Sequence, residues 1–503
     1  MKILTKFSEY LKNAIIYYGG DYSNLIRKYK GILIKFLPPI VATQIILFFL
    51  YLHHLLFLPL YLVFSPLFLA ETILIIEPFI ITWSNREEFK KMIEKELPFF
   101  VIIMYLNSLM NKGILETLTE IAKNKVLKSI QIEYNMVRKE MEIFGRSLFK
   151  SLEKRALLHN NDNLGKFLLN YLTVAYTGAG IKETLREEMK IQLNLIHEQY
   201  KNYINKSAEF VELIFSLYLL VPLILLGFSF TFKVNVIFFF IPLLFTPAIY
   251  LLISSQQPDV GYQMNFSYKD LIPLPLSLLV MFIPILNIVE KISVAIFINI
   301  VFLVKKYLRI YKDEKILEEL PLILREVADY SRLGYSIRNT LLKIPIEKYS
   351  KETQELIKRI RKNIISNKKL GKINSSIWLI DIIFTILELV DMIGGETYTV
   401  VTELSNILIS LIDERRKLIN ELRPYSFLAY MTPFLLWFTL GTFSNISTDL
   451  SLLPVLQSII ILYSILIAVI FSKISKFTII NVPLLSIVAL ESLILSMLPL
   501  RLI

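Results

Sequence analysis

The sequence predicts an all-α, polytopic membrane protein with about nine transmembrane helices and two homologous cytoplasmic helical-bundle domains. Three observations predict it. Hydrophobic residues make up 54% of the 503 positions and charged residues only 19%, whereas soluble domains sit near about 45–50% and about 25%. The apolar residues gather in runs long enough to cross a hydrocarbon core as helices. Between them lie two long stretches dense in Glu, Lys and Arg that keep helical spacing and lack strand-like alternation. The first observation argues against a wholly soluble enzyme, and the charged stretches exclude a chain made only of spans.

Taken in order, residues 1–31 form a mixed polar and basic cytoplasmic segment, and the apolar run after it is too long for a cleavable signal. Residues 32–82 hold a transmembrane pair, with runs at 32–52 and 55–76. Residues 83–208 form the first helical domain. Residues 209–304 carry runs at 209–230, 234–254, 270–287 and 290–304. The last two either cross twice or make a re-entrant hairpin. Residues 305–424 form the second helical domain, and 425–503 carry runs at 425–443, 452–471 and 477–499. Prolines such as Pro38, Pro39 and Pro433 fit membrane helices, whose freed backbone groups find other partners.

Charge sets the orientation. With all nine spans crossing, 52 of the 55 Lys and Arg fall on one side, which the positive-inside tendency makes the cytoplasm. The N-terminus and both domains then face the cytoplasm, and the C-terminus ends outside. The loop 444–451 faces outward, has no positive charge and holds an Asn445-Ile446-Ser447 glycosylation triplet. The net charge of +12 thus reflects a bilayer's cytoplasmic face rather than nucleic acid. The absence of cysteine removes disulfides, thiolate metal sites and Cys nucleophiles together.

The two charged stretches begin alike. Glu96-Leu97-Pro98 and Glu319-Leu320-Pro321 are 223 residues apart, and Thr117-Leu118 and Thr340-Leu341 keep the same offset. Gly113 and Gly334 precede a second helix in each, Gly178-Ala179-Gly180 faces Gly394-Gly395, and a long charged helix then runs into a span. Such agreement in order and spacing marks an internal repeat. In the second copy Pro321 suits a first helical turn. Leu320, Ile323, Leu324 and Val327 share one face, and Arg325, Asp329 and Arg332 share the opposite one. Gly334 can take the left-handed turn that ends this helix, and Ser336 can cap the next. In the first copy residues 99–106 are apolar all round, which predicts burial on every side.

The Glu-Leu-Pro opening, the Arg325-Glu326-Val327-Ala328-Asp329-Tyr330-Ser331-Arg332-Leu333-Gly334 pattern and the helix leading into the membrane resemble the type II secretion system F family. The nine-span layout with two cytoplasmic repeats is similar to its archaeal branch, which serves the archaellum and archaeal adhesion pili. The resemblance implies a non-enzymatic platform for a type IV pilus-like filament in the cell membrane. It implies a hexameric cytoplasmic secretion ATPase docking on the charged domains, pilin-like subunits lifted from the bilayer, and a homodimer. The residues that would meet the ATPase are Arg325, Asp329, Arg332, Arg338, Arg415, Arg416 and Lys417. The first copy lacks the charged pattern, so the two copies need not share one task.

No chemistry competes with this. A Gly-x-x-x-x-Gly-Lys-Ser/Thr loop and a His-Glu-x-x-His motif are both missing, and the four histidines form no ligand spacing. No catalytic, cofactor-binding or metal residue is therefore assigned. Ionisable residues within apolar segments are functional candidates by default: Glu71, Glu209 and Glu212, with Glu491 in the last run. The clusters Arg359-Ile360-Arg361-Lys362, Lys368-Lys369 and Glu414-Arg415-Arg416-Lys417 read either as solvated faces near anionic membrane lipid or as ATPase contacts. Interleaved acids, 17 against 22 bases in 305–424, disfavour nucleic acid. The alternative from another class is a polytopic transporter or channel, which calls for polar residues and broken helices at mid-membrane.

Overall fold

The computed structural model describes all residues except 1–11, 21, 53–59, 125–126, 179, 232–235, 259–272, 281, 284, 367–369, 371–372, 374, 394–396, 445–452 and 499–503. Among the described residues 88% are helical, in nineteen helices with no strand, as the periodicity predicts. The outer-loop triplet at Asn445, the Gly394-Gly395 pair and Lys368-Lys369 lie outside the described residues. The chain divides into two compact units, Met1–Gln192 and Leu193–Ile503.

In the first unit, helix Tyr22–Leu52 continues through Pro38 and Pro39 and packs against helix Leu60–Leu109. The second helix is 50 residues long, about 75 Å at 1.5 Å per residue. It carries the apolar run and the Glu96-Leu97-Pro98 opening in one rod, so no break falls at the expected boundary near 83. Helices Ile114–Asn124, Lys128–Phe144, Leu148–Leu158 and Asn163–Thr177 complete this bundle. Residues 99–106 are all buried, none above 5% exposed, as their all-round apolarity predicts. The N-terminal segment departs from expectation. Residues 12–17 are helical, and Ala14, Ile15 and Tyr17 are buried. Its basic composition hides an apolar patch that belongs to the bundle.

In the second unit, helix Ile181–Phe215, which begins in the first, passes through a π turn at Ser216–Leu220 into Val221–Thr231. Helix Ile288–Arg332 runs on from an apolar segment through Glu319-Leu320-Pro321, so Pro321 lies inside a helix and not in the first turn that the sequence predicts. This rod packs on helices Thr397–Glu421 and Lys351–Ile365, while Arg423–Ser444, Leu453–Lys476 and Val482–Met497 pack on one another. The predicted seam holds: Leu320, Ile323, Leu324 and Val327 are fully buried. Gly334 sits at φ +88° and turns the chain into helix Ile337–Lys343, where the Ser336 side chain accepts from Asn339 N–H at 3.3 Å.

Against the nine predicted spans, three helical segments among the described residues are long and apolar enough to cross a membrane: Ile181–Leu225, Ile237–Gln256 and Leu456–Lys476. Val482–Met497 is apolar but shorter. The 270–287 run is not one continuous crossing helix. It holds the eight-residue helix Pro273–Val280, about 12 Å long, against a hydrocarbon core of about 30 Å. Pro273 and Pro275 open that helix, and residues 282–283 and 285–287 are not helical.

Candidate functional site

Each bundle is pinned by the glutamate that opens it. The Glu96 carboxylate, 5% exposed, accepts from the backbone N–H of Lys128 at 2.9 Å, Ser129 at 2.8 Å and Ile130 at 3.3 Å. The Ser129 hydroxyl donates to it at 2.5 Å. These are the orphan donors that open helix Lys128–Phe144, and Leu127 at its N-cap gives no side-chain hydrogen bond. In the second unit Glu319 meets the start of helix Lys351–Ile365 through its N-cap residue, Ser350, whose own side chain accepts from Thr353 N–H at 3.4 Å. Ser350 N–H reaches both Glu319 oxygens at 3.1 Å, and Ser350 Oγ donates at 3.0 Å. An anion at a helix N-terminus is favoured by the dipole and the unpaired N–H groups together. Burial raises the pKa of Glu96, and the donated hydrogen bonds oppose that rise.

The threonines at the shared offset also match. Thr117 Oγ1 donates to the carbonyl of Gly113 at 3.0 Å, and Thr340 Oγ1 to that of Ser336 at 3.0 Å. Both are fully buried. In both units the glutamate of the shared motif, some thirty residues upstream, holds the start of the third helix.

The seven expected contact residues do not form one surface. Arg325, Asp329 and Arg332 are exposed along the outer end of helix Ile288–Arg332, beside exposed Leu322 and Leu333. The Arg332 guanidinium lies 5.8 Å from the Tyr398 ring. Arg338 is half-buried, with Nε 2.9 Å from Asp391 Oδ2, tying the hairpin to helix Trp378–Ile393. Arg415 turns inward: its side chain is 13% exposed and meets Glu314 at 2.7 Å. Burial lowers Arg415 to about 10 and raises Glu314, so the guanidinium stays charged at neutral pH. Arg416 and Lys417 are exposed, at 3.6 Å from Asp413 and 2.8 Å from Glu414. Glu414, mostly buried, also meets His197 Nδ1 at 2.8 Å. Burial would raise its pKa, but Lys417 and His197 outweigh burial and lower it. Glu314 and Arg332 are 18 residues apart on one helix, about 27 Å. The tip and the Arg415 cluster are thus separate places.

Of the intramembrane candidates, Glu209 and Glu212 are exposed on helix Ile181–Phe215, just before the π turn. Glu71 lies in helix Leu60–Leu109, and its side chain lies outside the described ones. In the π turn the Tyr218 hydroxyl meets Thr246 Oγ1 at 2.7 Å, and Tyr463 donates to the Phe239 carbonyl. Single π turns recur at functional positions in helices. No group of three or more potential metal ligands exists among the described residues.

Sequence reasoning missed a buried ionic cluster in the first unit. Arg155, 1% exposed, meets Glu133 through Nε at 2.8 Å and Nη2 at 2.6 Å, and donates to the carbonyls of Ile16 at 3.1 Å and Tyr17 at 2.9 Å. His159 faces Asp162 at 2.6 Å and Glu133 at 3.0 Å. The Tyr17 hydroxyl donates to Asp162 at 2.6 Å. Burial would lower His159 and raise both acids. The contacts outweigh it, raising His159, lowering Asp162 and holding Glu133 at about 2. Two carboxylates thus face one guanidinium and the His159 ring, and a protonated ring balances their charge. The signal was spatial: Tyr17 lies 145 residues from Asp162.

No protein-family model matches the chain, and neither a curated protein nor a solved structure matches it.

Proposed function

We propose that this protein is the membrane platform of an archaeal type IV pilus-like filament machine. It couples a hexameric cytoplasmic secretion ATPase to the insertion of pilin-like subunits, and it works without chemistry of its own. Its place is the cell membrane, with the N-terminus and both bundles in the cytoplasm, and its working unit is a homodimer. The observation that carries this reading is the twice-built bundle, with a third helix held at its start by a glutamate, a buried threonine after the turn and an entry helix continuous with an apolar segment. A helix of 45 or 50 residues without a joint transmits a push or tilt along its length, which a flexible linker would absorb. The exposed Arg325, Asp329 and Arg332, beside exposed Leu322 and Leu333, are the contact surface for the ATPase.

The test uses the full chain in detergent or nanodiscs with a candidate secretion ATPase. Binding should weaken as salt rises. Arg325→Glu, Asp329→Lys and Arg332→Glu together should weaken it further while leaving helicity unchanged. Binding indifferent to the triple variant removes this face as the dock.

A further inference from the structure

One helix of the second unit is amphipathic and presents a basic face to the outside. Helix Lys351–Ile365 buries Thr353, Leu356, Ile357, Ile360 and Ile364 against the bundle. Its other face exposes Lys351, Glu355, Lys358, Lys362 and Ile365, the last at 77%. This stripe has the 3.6-residue period of one helix side.

One contact marks its height: Lys312 Nζ lies 3.3 Å from Glu355. The segment that follows the helix is tied in as well, since Asp313 accepts from Ser376 N–H at 2.5 Å and Arg359 donates to the Ile373 carbonyl. Lys312 continues an exposed stripe on helix Ile288–Arg332 that runs through Phe297, Val301, Val304 and Leu308. That stripe is apolar up to Leu308, and Lys312 is one turn further, about 6 Å. The headgroup layer beyond the hydrocarbon is of similar depth. The face bearing Glu355 therefore stands about one turn beyond the apolar stripe of the rod. Of the acids nearby, Asp313 meets Ser376, Glu314 Arg415, Glu318 Lys315 and Glu355 Lys312, while Glu352 stands in the first turn of the helix.

We propose that helix Lys351–Ile365 rests on anionic lipid headgroups, with Lys358 and Lys362 meeting phosphate and Ile365 entering the interface. Basic residues with an apolar neighbour on one helix face are the composition that binds such surfaces. The contact would hold the second bundle against the bilayer and set the angle at which its entry rod leaves the membrane. The inference rests on the membrane reading alone and not on the filament role.

The natural lack of cysteine allows single labels without background. Three variants, Ile365→Cys, Leu333→Cys and Leu244→Cys, carry a fluorophore in full-length protein reconstituted in vesicles containing nitroxide lipid. One vesicle set is phosphatidylcholine, and the other adds about 30% phosphatidylglycerol. The label at 365 should be quenched strongly only with anionic lipid. Lys358→Gln with Lys362→Gln should weaken that surface contact about 30-fold, with the label at 365 retained. The label at 333, 25 residues beyond Leu308 on the same rod and its turn, about 38 Å, should stay unquenched in both. The label at 244, exposed in segment Ile237–Gln256, should be quenched in both. An unquenched label at 244 overturns the membrane reading itself. A quenched 244 with a 365 label indifferent to phosphatidylglycerol, or to the double lysine variant, overturns this proposal alone.

Discussion

Replacing each entry glutamate by alanine tests the twin construction unequally, because the two carboxylates do unequal work. Glu96→Ala strands three backbone N–H groups and one hydroxyl at a buried helix start. At about 1–3 kcal/mol for a buried donor left unpaired, with partial rescue by water, the loss should be about 3 kcal/mol. Glu319→Ala strands one N–H and one hydroxyl, both part-buried, and Ser350 still caps Thr353 N–H at 3.4 Å. That loss should be about 1 kcal/mol. Amide hydrogen exchange on the full-length protein reads both. In Glu96→Ala the amides of 128–130 should lose about 100-fold protection, and in Glu319→Ala the amide of 350 about 5-fold. Glutamine at either position should recover part of the loss by keeping one acceptor oxygen. Unchanged exchange in Glu96→Ala, or equal losses in the two variants, would refute the reasoning.

Other consequences are measurable in the same preparations. Arg155→Met should release residues 12–20 from the first bundle, seen as new proteolytic cleavage there, because it leaves Glu133 buried without its main partner and two carbonyls without a donor. The same cluster should respond to pH from both sides. Glu133 and Asp162 have lowered pKa values, so their stabilisation is present above the ordinary carboxylate range near 4.5 and is lost as pH falls toward 2. His159 has a raised pKa, so its stabilisation is full below 6.5 and is lost as pH rises through the raised value. Resistance of residues 12–20 to proteolysis should therefore peak between about 4.5 and 6.5, and His159→Gln should flatten its alkaline side. Arg338→Ala should lower thermal stability by about 1 kcal/mol through loss of Asp391, whereas Arg325→Ala should leave it unchanged.

The parts of the fold legible in the sequence are those written locally. The seam of Leu320, Ile323, Leu324 and Val327 follows from spacing, and the turn at Gly334 and the cap at Ser336 follow from residue type. The burial of 99–106 follows from apolarity on every side. The motif glutamates were visible as a repeat, but their hold on the third helix was not, since it joins positions more than thirty residues apart. Charge alone grouped Arg338 and Arg415 with the exposed tip. Their partners, Asp391 and Glu314, lie 53 and 101 residues away and turn them into internal ties. The boundary near 83 was drawn where polarity changes, yet a helix needs only its own backbone hydrogen bonds to continue across it. The short helix at 273–280 shows the converse, because an apolar run need not be one helix.

The central claim is that two bundles of one design stand on the same side of a membrane. Membrane-impermeant maleimide labelling of Ile143→Cys and Leu333→Cys, both exposed positions in a chain without native cysteine, tests it most directly. Both should react in inside-out vesicles and neither in right-side-out ones. Reaction of the two from opposite faces would contradict the account.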